Sequence, residues 1–573
     1  MRKLADYRGR LADIPCDFHE MVGALAPRHV LLIAPQKDSN FRADSVDRIA
    51  AAARPVFKLL GHEERLKVEH PDCEHDFPPE MREEAYGLFD KVFGRPPAPT
   101  LVPPVRTVDL KVGESQAVEL ADGKKVTVKL LDLKEARDDL RKAVRRAEVT
   151  VEVAGERASL VSANYRLPAT VAGVQIDCPV TRGYRQNTAK GVAGEDPWGL
   201  EKDARLRLWP AKSPLMNPDT FRYPARQRWF ASGTHMANEP VHVDGGEDPF
   251  VKDIYYHYGL DIGGAEALVE VVAATDGLVV SSGKEVLADF DDTPAKPRYD
   301  VVYVLDARGW YYRYSHLHTI GPRIKPGAEV KMGQLIGLLG KEGGSGGWSH
   351  LHFDIFARQP SGQWGVVEGY AFLWEAYLRE HRPRLLAVAR PHHLASVGEK
   401  VTLDGSRSWS ASGKIASYEW TFGDGKTATG ASAERTYTRP GVYSEVLKVT
   451  DGDGRIDYDF AVVNVLDKEH PEVLPPSIHA AYAPTFGVKA GDPVTFLVRT
   501  FRTTDGRETW DFGDGSPKVE VQSDGNAVKL ARDGYARTVH TYKKTGHYLV
   551  RVERTDRRGY TAVAHLHVRV GVE

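Results

Sequence analysis

The hexapeptide Trp420-Thr-Phe-Gly-Asp-Gly425 returns as Trp510-Asp-Phe-Gly-Asp-Gly515, and this repeat restricts the fold of the chain more than any other feature. Each copy is followed by a Thr-Tyr pair, Thr436-Tyr437 and Thr541-Tyr542, and then by Gly-x-Tyr ending at Tyr443 and Tyr548. A fixed internal period means one structural unit used twice. Tryptophan and phenylalanine alternate toward one face and Gly-Asp-Gly supplies a tight turn, so the unit is a β-sandwich of roughly 90 residues. Residues 384–468 and 472–571 are expected to be two such sandwiches. Each should fold on its own core and be dispensable for chemistry elsewhere, with Asp424 and Asp514 serving turns.

A chain of 573 residues has room for about four or five domains. Residues 1–96 read as α/β. The apolar strand at 29–34 precedes a helix carrying Val46, Ile49, Ala50, Ala53, Phe57 and Leu60 on one face. A short strand at 65–69 and a helix with Met81, Ala85, Leu88, Phe89 and Val92 follow, then Gly94 and a proline-rich linker with Pro96-Pro97. Two strands are too few for a complete α/β domain, so the segment reads as the tail of a larger fold. Residues 100–245 are rich in strand signals such as Val149, Val151 and Val153, although 133–146 fits either a helix or a hairpin arm. Residues 246–382 carry many short strands with glycine turns, an antiparallel β pattern. The whole is multidomain and mainly β.

Charge and cysteine content exclude several classes of function. Lysine plus arginine (77) nearly balances aspartate plus glutamate (79), which argues against nucleic acid. Cys16, Cys73 and Cys178 are too few and too scattered for a disulfide framework or a zinc site. No apolar run approaches the roughly 18 residues of a spanning helix. The start, MRKLADYRGR, has no apolar signal segment, which taken literally means a cytoplasmic protein.

Histidines concentrate in one stretch. His257-Tyr-Gly-Leu-Asp261 contains a glycine and is followed by Gly263 and Gly264, so His257 and Asp261 meet through an extended or looped segment, not a helix. His350-Leu-His352-Phe-Asp354 follows the glycine-rich run 343–347. On a strand His350 and His352 share one face while Leu351 and Phe353 enter a core. One of the two can hold a metal while the other reaches the bound water. Tyr312, Tyr314, His316 and His318 also alternate onto one face, so either of these histidines can enter the same site. Two imidazoles and a carboxylate leave a fourth tetrahedral position open, the pattern of a catalytic zinc site.

These segments resemble the LytM/lysostaphin-type zinc endopeptidases. The resemblance covers about residues 250–375 and rests on His257-Tyr-Gly-Leu-Asp261-Ile, Ala274-Thr-Asp-Gly-Leu-Val279, Tyr314-Ser-His316-Leu, Val330-Lys-Met-Gly-Gln334 and Ser349-His350-Leu-His352-Phe. It implies His257, Asp261 and His352 as zinc ligands and His350 and His316 as the catalytic histidines. His318 has no counterpart role. The family commonly has glutamate where Asp354 stands. The implied activity is hydrolysis of peptide bonds in bacterial peptidoglycan, with zinc lowering the pKa of its water to about 7. One of His350 and His316 takes up the proton and the other stabilises the oxyanion. Non-catalytic wall-binding relatives exist, but they lose metal ligands, and all five positions are kept here.

The repeated Trp-x-Phe-Gly-Asp-Gly resembles the PKD domain, an immunoglobulin-like sandwich; the second copy carries an insert at 522–535. That resemblance implies a spacer or a module binding carbohydrate or protein outside cells. Residues 26–78 resemble the C-terminal end of α/β-hydrolases of the acetyl-xylan-esterase type, through the strand ending at Ala34, Asp38-Ser-Asn-Phe41 and His70-Pro-Asp-Cys-Glu-His75. Asp38 would be the triad acid and His75 the base, an inactive remnant because no nucleophile elbow precedes them. An esterase truncated at its front is the alternative. The expected setting is extracellular or periplasmic, a reading in which Met1 need not be the natural start.

Overall fold

The structure is a computed structural model that describes residues 7–10, 13–93, 99–138, 143–185, 196–233, 256–288, 290, 292–470 and 473–572. Gly94, Pro96-Pro97 and Met1, which figure in the sequence reading, lie outside the described residues. The chain divides into two compact units, residues 1–97 with 288–291, and the remainder.

In the first unit, Val30–Ile33 and Leu66–Glu69 pair in parallel, joined by the helix Ala43–Leu59. Ala50, Ala53 and Phe57 on one side of that helix bury against Leu66, Val30 and Leu32, as helical spacing dictates. A second helix, Pro79–Phe93, ends the described part.

The second unit is mainly β. Residues 106–210 form two four-stranded sheets whose facing valines and leucines make one core. The ambiguous stretch is a hairpin arm. Lys125–Arg137 pairs antiparallel with Val144–Val153, and Ala147, Val149, Val151 and Val153 are buried at a period of two, which only a strand allows. Residues 139–142 lie outside the described residues.

The next layer is an antiparallel sheet in the order Leu260–Gly263, His350–Arg358, Tyr311–Ser315, Val302–Leu305 and Gly277–Ser282. A three-stranded sheet of Glu270–Val272, Leu335–Leu339 and Leu317–Ile320 covers it. The helix Tyr370–His381 closes the core with Tyr370, Phe372, Trp374 and Tyr377 against Trp209, Tyr223 and Trp229. Buried Arg207 ties this layer to the preceding domain, pairing with Asp177 and donating to the Glu368 carbonyl at 2.6 Å.

Two sandwiches follow, centred on Trp420 and Trp510, both fully buried. Their sheets are continuous, since Gly441–Asp451 pairs in parallel with Thr561–Val570 at Val442 and Ala562. The second sandwich also enters the core beneath the histidine-bearing sheet. Ala481 and Leu497 are buried members of that core, and Ala483, Phe486 and Tyr535 pack on it. Thr485 accepts from the Arg228 backbone at 2.9 Å, and Phe486 stacks on His381. The sandwich therefore has apolar surface on its outer side as well as inside, which the expectation of an independent module did not foresee.

Candidate metal centre and active site

Three elements carry the site. The strand Leu260–Gly263 runs beside His350–Arg358, with Asp261 opposite His352 and Gly263 opposite His350. Alternation puts His350, His352 and Asp354 on one face and sends Leu351, Phe353 and Ile355 into the core, where each is fully buried. His257 does not share a strand with Asp261. The chain turns at Gly259, where φ is +82°, and a Cβ there would stand 2.0 Å from Asp354 Oδ1. Only glycine satisfies both the left-handed backbone and the close approach. The turn brings His257 Nε2 within 3.2 Å of Asp261 Oδ2.

The donor atoms converge. His352 Nδ1 lies 2.8 Å from Asp261 Oδ1 and 3.0 Å from His257 Nε2. Its other nitrogen, Nε2, lies 2.9 Å from Asp354 Oδ2, which also accepts from Arg313 at 3.1 Å. Both carboxylates accept, so either ring nitrogen can carry the proton; with the proton on Nε2 toward Asp354, Nδ1 would offer its lone pair to a cation held at Asp261. Two imidazole nitrogens and a carboxylate, all lying within 4.8 Å of one another, thus point acceptors at one place, a donor set that fits a cation such as zinc. Burial alone would raise the Asp261 carboxyl, but the imidazoles of His257 and His350 and hydrogen bonds from His257 and His352 hold it well below its ordinary value. Asp354 is likewise lowered, against its burial, by His352 and Arg313.

His350 and His316 flank this cluster, their rings 4.6 Å apart. His350 Nδ1 donates to the Trp348 carbonyl at 3.0 Å, and Trp348 stacks on the ring at 3.7 Å. Its Nε2 therefore faces Asp261, 3.5 Å away. Burial pushes its pKa well below the ordinary value, which keeps the ring neutral. His316 Nδ1 donates to the Glu342 carbonyl at 2.6 Å, and its backbone N–H to Asp300 Oδ2 at 3.0 Å. Asp300 is fixed in turn by Arg298 at 2.5 and 2.7 Å. Burial lowers the His316 pKa also, in spite of Asp300.

His316 and His318 part company. His316 has φ of +65°, uncommon for a side-chain-bearing residue, so the alternation ends at Ser315. His318 falls on Leu317–Ile320 in the other sheet, beside Glu266 and Glu342. Glu266 there already pairs with the buried ammonium of Lys341, and Glu342 accepts from Tyr299 at 3.1 Å. Sequence reading did not find Asp300, Arg298, Arg313 or Trp348. Asp300 and Arg298 lie 16 and 18 residues from His316 and carry no spacing signal, whereas Asp354 continues the alternation of His350 and His352.

Comparison with known proteins decides the family of this region: residues 255–363 match the model of peptidase family M23. The chain carries an M23 metallopeptidase domain. Residues 382–465 and 479–570 each match a PKD domain model, so two PKD domains follow the M23 domain. Among curated relatives, collagenase ColA of Clostridium perfringens is 34% identical over 15% of this chain and 8% of its own length. Pre-pro-metalloprotease PrtV of Vibrio cholerae is 30% identical over 22% of this chain and 12% of its own length. The chain thus spans about a tenth of those relatives. A solved PKD1 domain of the Vibrio cholerae metalloprotease PrtV is 33% identical, covering 14% of this chain and 91% of that one, with a TM-score of 0.11. Helicobacter pylori Csd3 is 13% identical, covering 45% and 75%, with a TM-score of 0.19. Among the described residues no helix is long and apolar enough to cross a membrane.

Proposed function

We propose that the M23 domain is a zinc endopeptidase acting on peptide bonds of bacterial peptidoglycan, outside the cytoplasm, and that the PKD domains bind wall carbohydrate or protein. The observation that carries the reading is the convergence of His257 Nε2, Asp261 and His352 Nδ1, with the Nε2 atom of His350 turned toward the same carboxylate. Zinc held there would supply a Lewis acid that polarises the scissile carbonyl and acidifies water.

The chain's own residues do the rest. Asp354, backed by Arg313, holds His352 in the tautomer that presents Nδ1. His350 and His316, each with Nδ1–H tied to a backbone carbonyl, keep Nε2 available. A neutral Nε2 accepts the proton of the attacking water, and the Nε2–H formed in that step can then donate to the oxyanion or the leaving amine. A wall-binding scaffold without turnover has no use for two such pre-oriented imidazoles. Digestion of purified peptidoglycan, followed by mass analysis, should release peptide fragments that a chelator abolishes and zinc restores. Intact muropeptides after prolonged incubation with the zinc-loaded chain would refute the reading.

A second reading concerns the first unit alone, and one contact favours it. Asp38, its side chain 3% exposed, lies 2.8 Å from His75 Nδ1 beyond the ends of the two parallel strands, the relation of acid to base in an α/β-hydrolase. The hydrogen bond from His75 lowers the Asp38 pKa. No serine precedes Asp38 in this sequence, the first being Ser39. A polypeptide of these 573 residues alone is expected to give only background hydrolysis of an aryl acetate. Chelator-resistant turnover lost in His75→Ala would show a working esterase instead.

A further inference from the structure

The loop 343–349, which delivers the chain to His350, is gripped by the second PKD domain. Arg499, fully buried, forms a bidentate pair with Asp524 at 2.8 and 2.6 Å and donates to the carbonyls of Gly347, Val528 and Lys529. Asn526 Nδ2 donates to the Gly346 carbonyl at 3.1 Å. A Cβ at Gly347, where φ is +94°, would stand 2.3 Å from Asn526 Oδ1 and 2.5 Å from the Lys529 carbonyl, so glycine is required by the approach of the sandwich itself. Apart from Arg499, on the strand Pro493–Phe501, the residues of these contacts lie in the insert, around 522–535, that sets the second repeat apart from the first.

The decisive contact is at one peptide group. The N–H of Ser349 donates to Tyr535 Oη at 2.7 Å. The carbonyl of the same peptide unit, that of Trp348, accepts from His350 Nδ1. A peptide unit is planar, so fixing its N–H fixes the direction of its carbonyl. A backbone N–H can only donate, so Tyr535 Oη accepts from Ser349, and the same hydroxyl lies 2.8 Å from His479 Nδ1. Burial lowers the His479 pKa to about 3, keeping the ring neutral, and its Nε2 lies 3.1 Å from Ser232 Oγ. The Tyr535 hydroxyl is thus held between the Ser349 peptide and the His479 ring.

We infer that Tyr535 of the second PKD domain is a positioning residue of the peptidase, orienting the Trp348–Ser349 peptide so that its carbonyl locks His350 with Nε2 facing the metal cluster. The M23 domain and the second PKD domain are then one catalytic unit. Tyr535 acts through the peptide and touches neither substrate nor metal ligand. The kinetic part of this inference rests on the peptidase reading above; the structural part does not.

Tyr535→Phe in the full chain keeps the ring and removes only the hydroxyl. Zinc content should stay at wild type and KM should hold, while kcat on peptidoglycan falls about tenfold, the rate equivalent of one lost hydrogen bond. Amide exchange measured by mass spectrometry should speed up in the peptide covering 343–350 and nowhere else in the M23 domain. His479→Asn, which keeps a polar atom where Nδ1 stood, should behave nearly as wild type, and His479→Leu should lose part of kcat. Wild-type exchange and kcat in Tyr535→Phe would overturn the inference. So would zinc loss or faster exchange throughout the domain, which would mean bulk support only. If the wild-type chain cleaves nothing, the peptidase reading falls, and the exchange experiment still decides whether Tyr535 holds the loop.

Discussion

At the scale of single residues, neighbouring histidines on one strand have different surroundings, and the different tasks proposed for them rest on what each ring nitrogen meets. His352 has a carboxylate behind it and a carboxylate before it; His350 has a backbone carbonyl behind and an indole beneath. His352→Ala should abolish zinc binding measured by metal analysis, whereas His350→Ala should keep the metal and lose turnover. Near-normal turnover of His350→Ala would reverse the assignment. Asp354→Asn should weaken zinc binding about 10- to 100-fold, because the amide no longer favours a single tautomer of His352; titration against a competing chelator measures it. The shared face of His350 and His352 was legible in the sequence because strand alternation is a local rule, whereas His257 reaches Asp261 through the turn at Gly259. The separation of His316 from His318 was not legible. It depends on a left-handed residue stabilised by Asp300 and by the Glu342 carbonyl, partners that only tertiary structure supplies.

At the scale of elements, the strands and the two-sandwich pattern followed from periodicity, and the stretch 133–146 fitted helix or hairpin arm because charged residues outnumber apolar ones there and leave no alternation to read. What periodicity does not report is the outer face of a sandwich. In the second PKD domain His479 is buried there against Tyr535, and His565 and His567 are half-buried, against Ser444 and against Asp457 and His547 respectively. Burial lowers their pKa values from 6.5 to about 3, 3 and 4. Arg551 further lowers His565, whereas Asp457 opposes the fall at His567 and Arg569 adds to it. Below pH 6.5 the unfolded chain therefore binds more protons than the folded one. Stability present above 6.5 is lost as pH falls toward 4, each histidine contributing a slope of up to ~1.4 kcal/mol per pH unit. Melting temperatures between pH 7 and 4.5 should fall, and His565→Gln should flatten the decline. A melting temperature independent of pH over that window would contradict the assignment.

At the scale of the whole molecule, a modular reading of the sequence makes the C-terminal domains spacers, and the packing sets the second of them against the core and the loop of the M23 domain. Repeats announce where a unit begins and ends but not what its outside touches. Ala481 and Leu497 are buried in the core under the histidine-bearing sheet, Phe486 stacks on His381 at the end of the closing helix, and Arg499 and Tyr535 hold the loop before His350. A chain ending at residue 382 would expose that apolar surface to water and leave the Ser349 N–H without its acceptor. Such a chain is expected to melt lower than the full protein and to cleave even a short soluble peptide poorly. A chain ending at residue 470, which keeps the first PKD domain, should share both defects, because the lost contacts belong to the second. Adding the separate second domain back should restore part of the turnover if its own core folds alone. Peptide turnover in the 382-residue chain equal to that of the full protein would show that the sandwiches only deliver the peptidase to its wall. The comparison must use a short peptide, because intact peptidoglycan would confound catalysis with the wall retention proposed for the PKD domains.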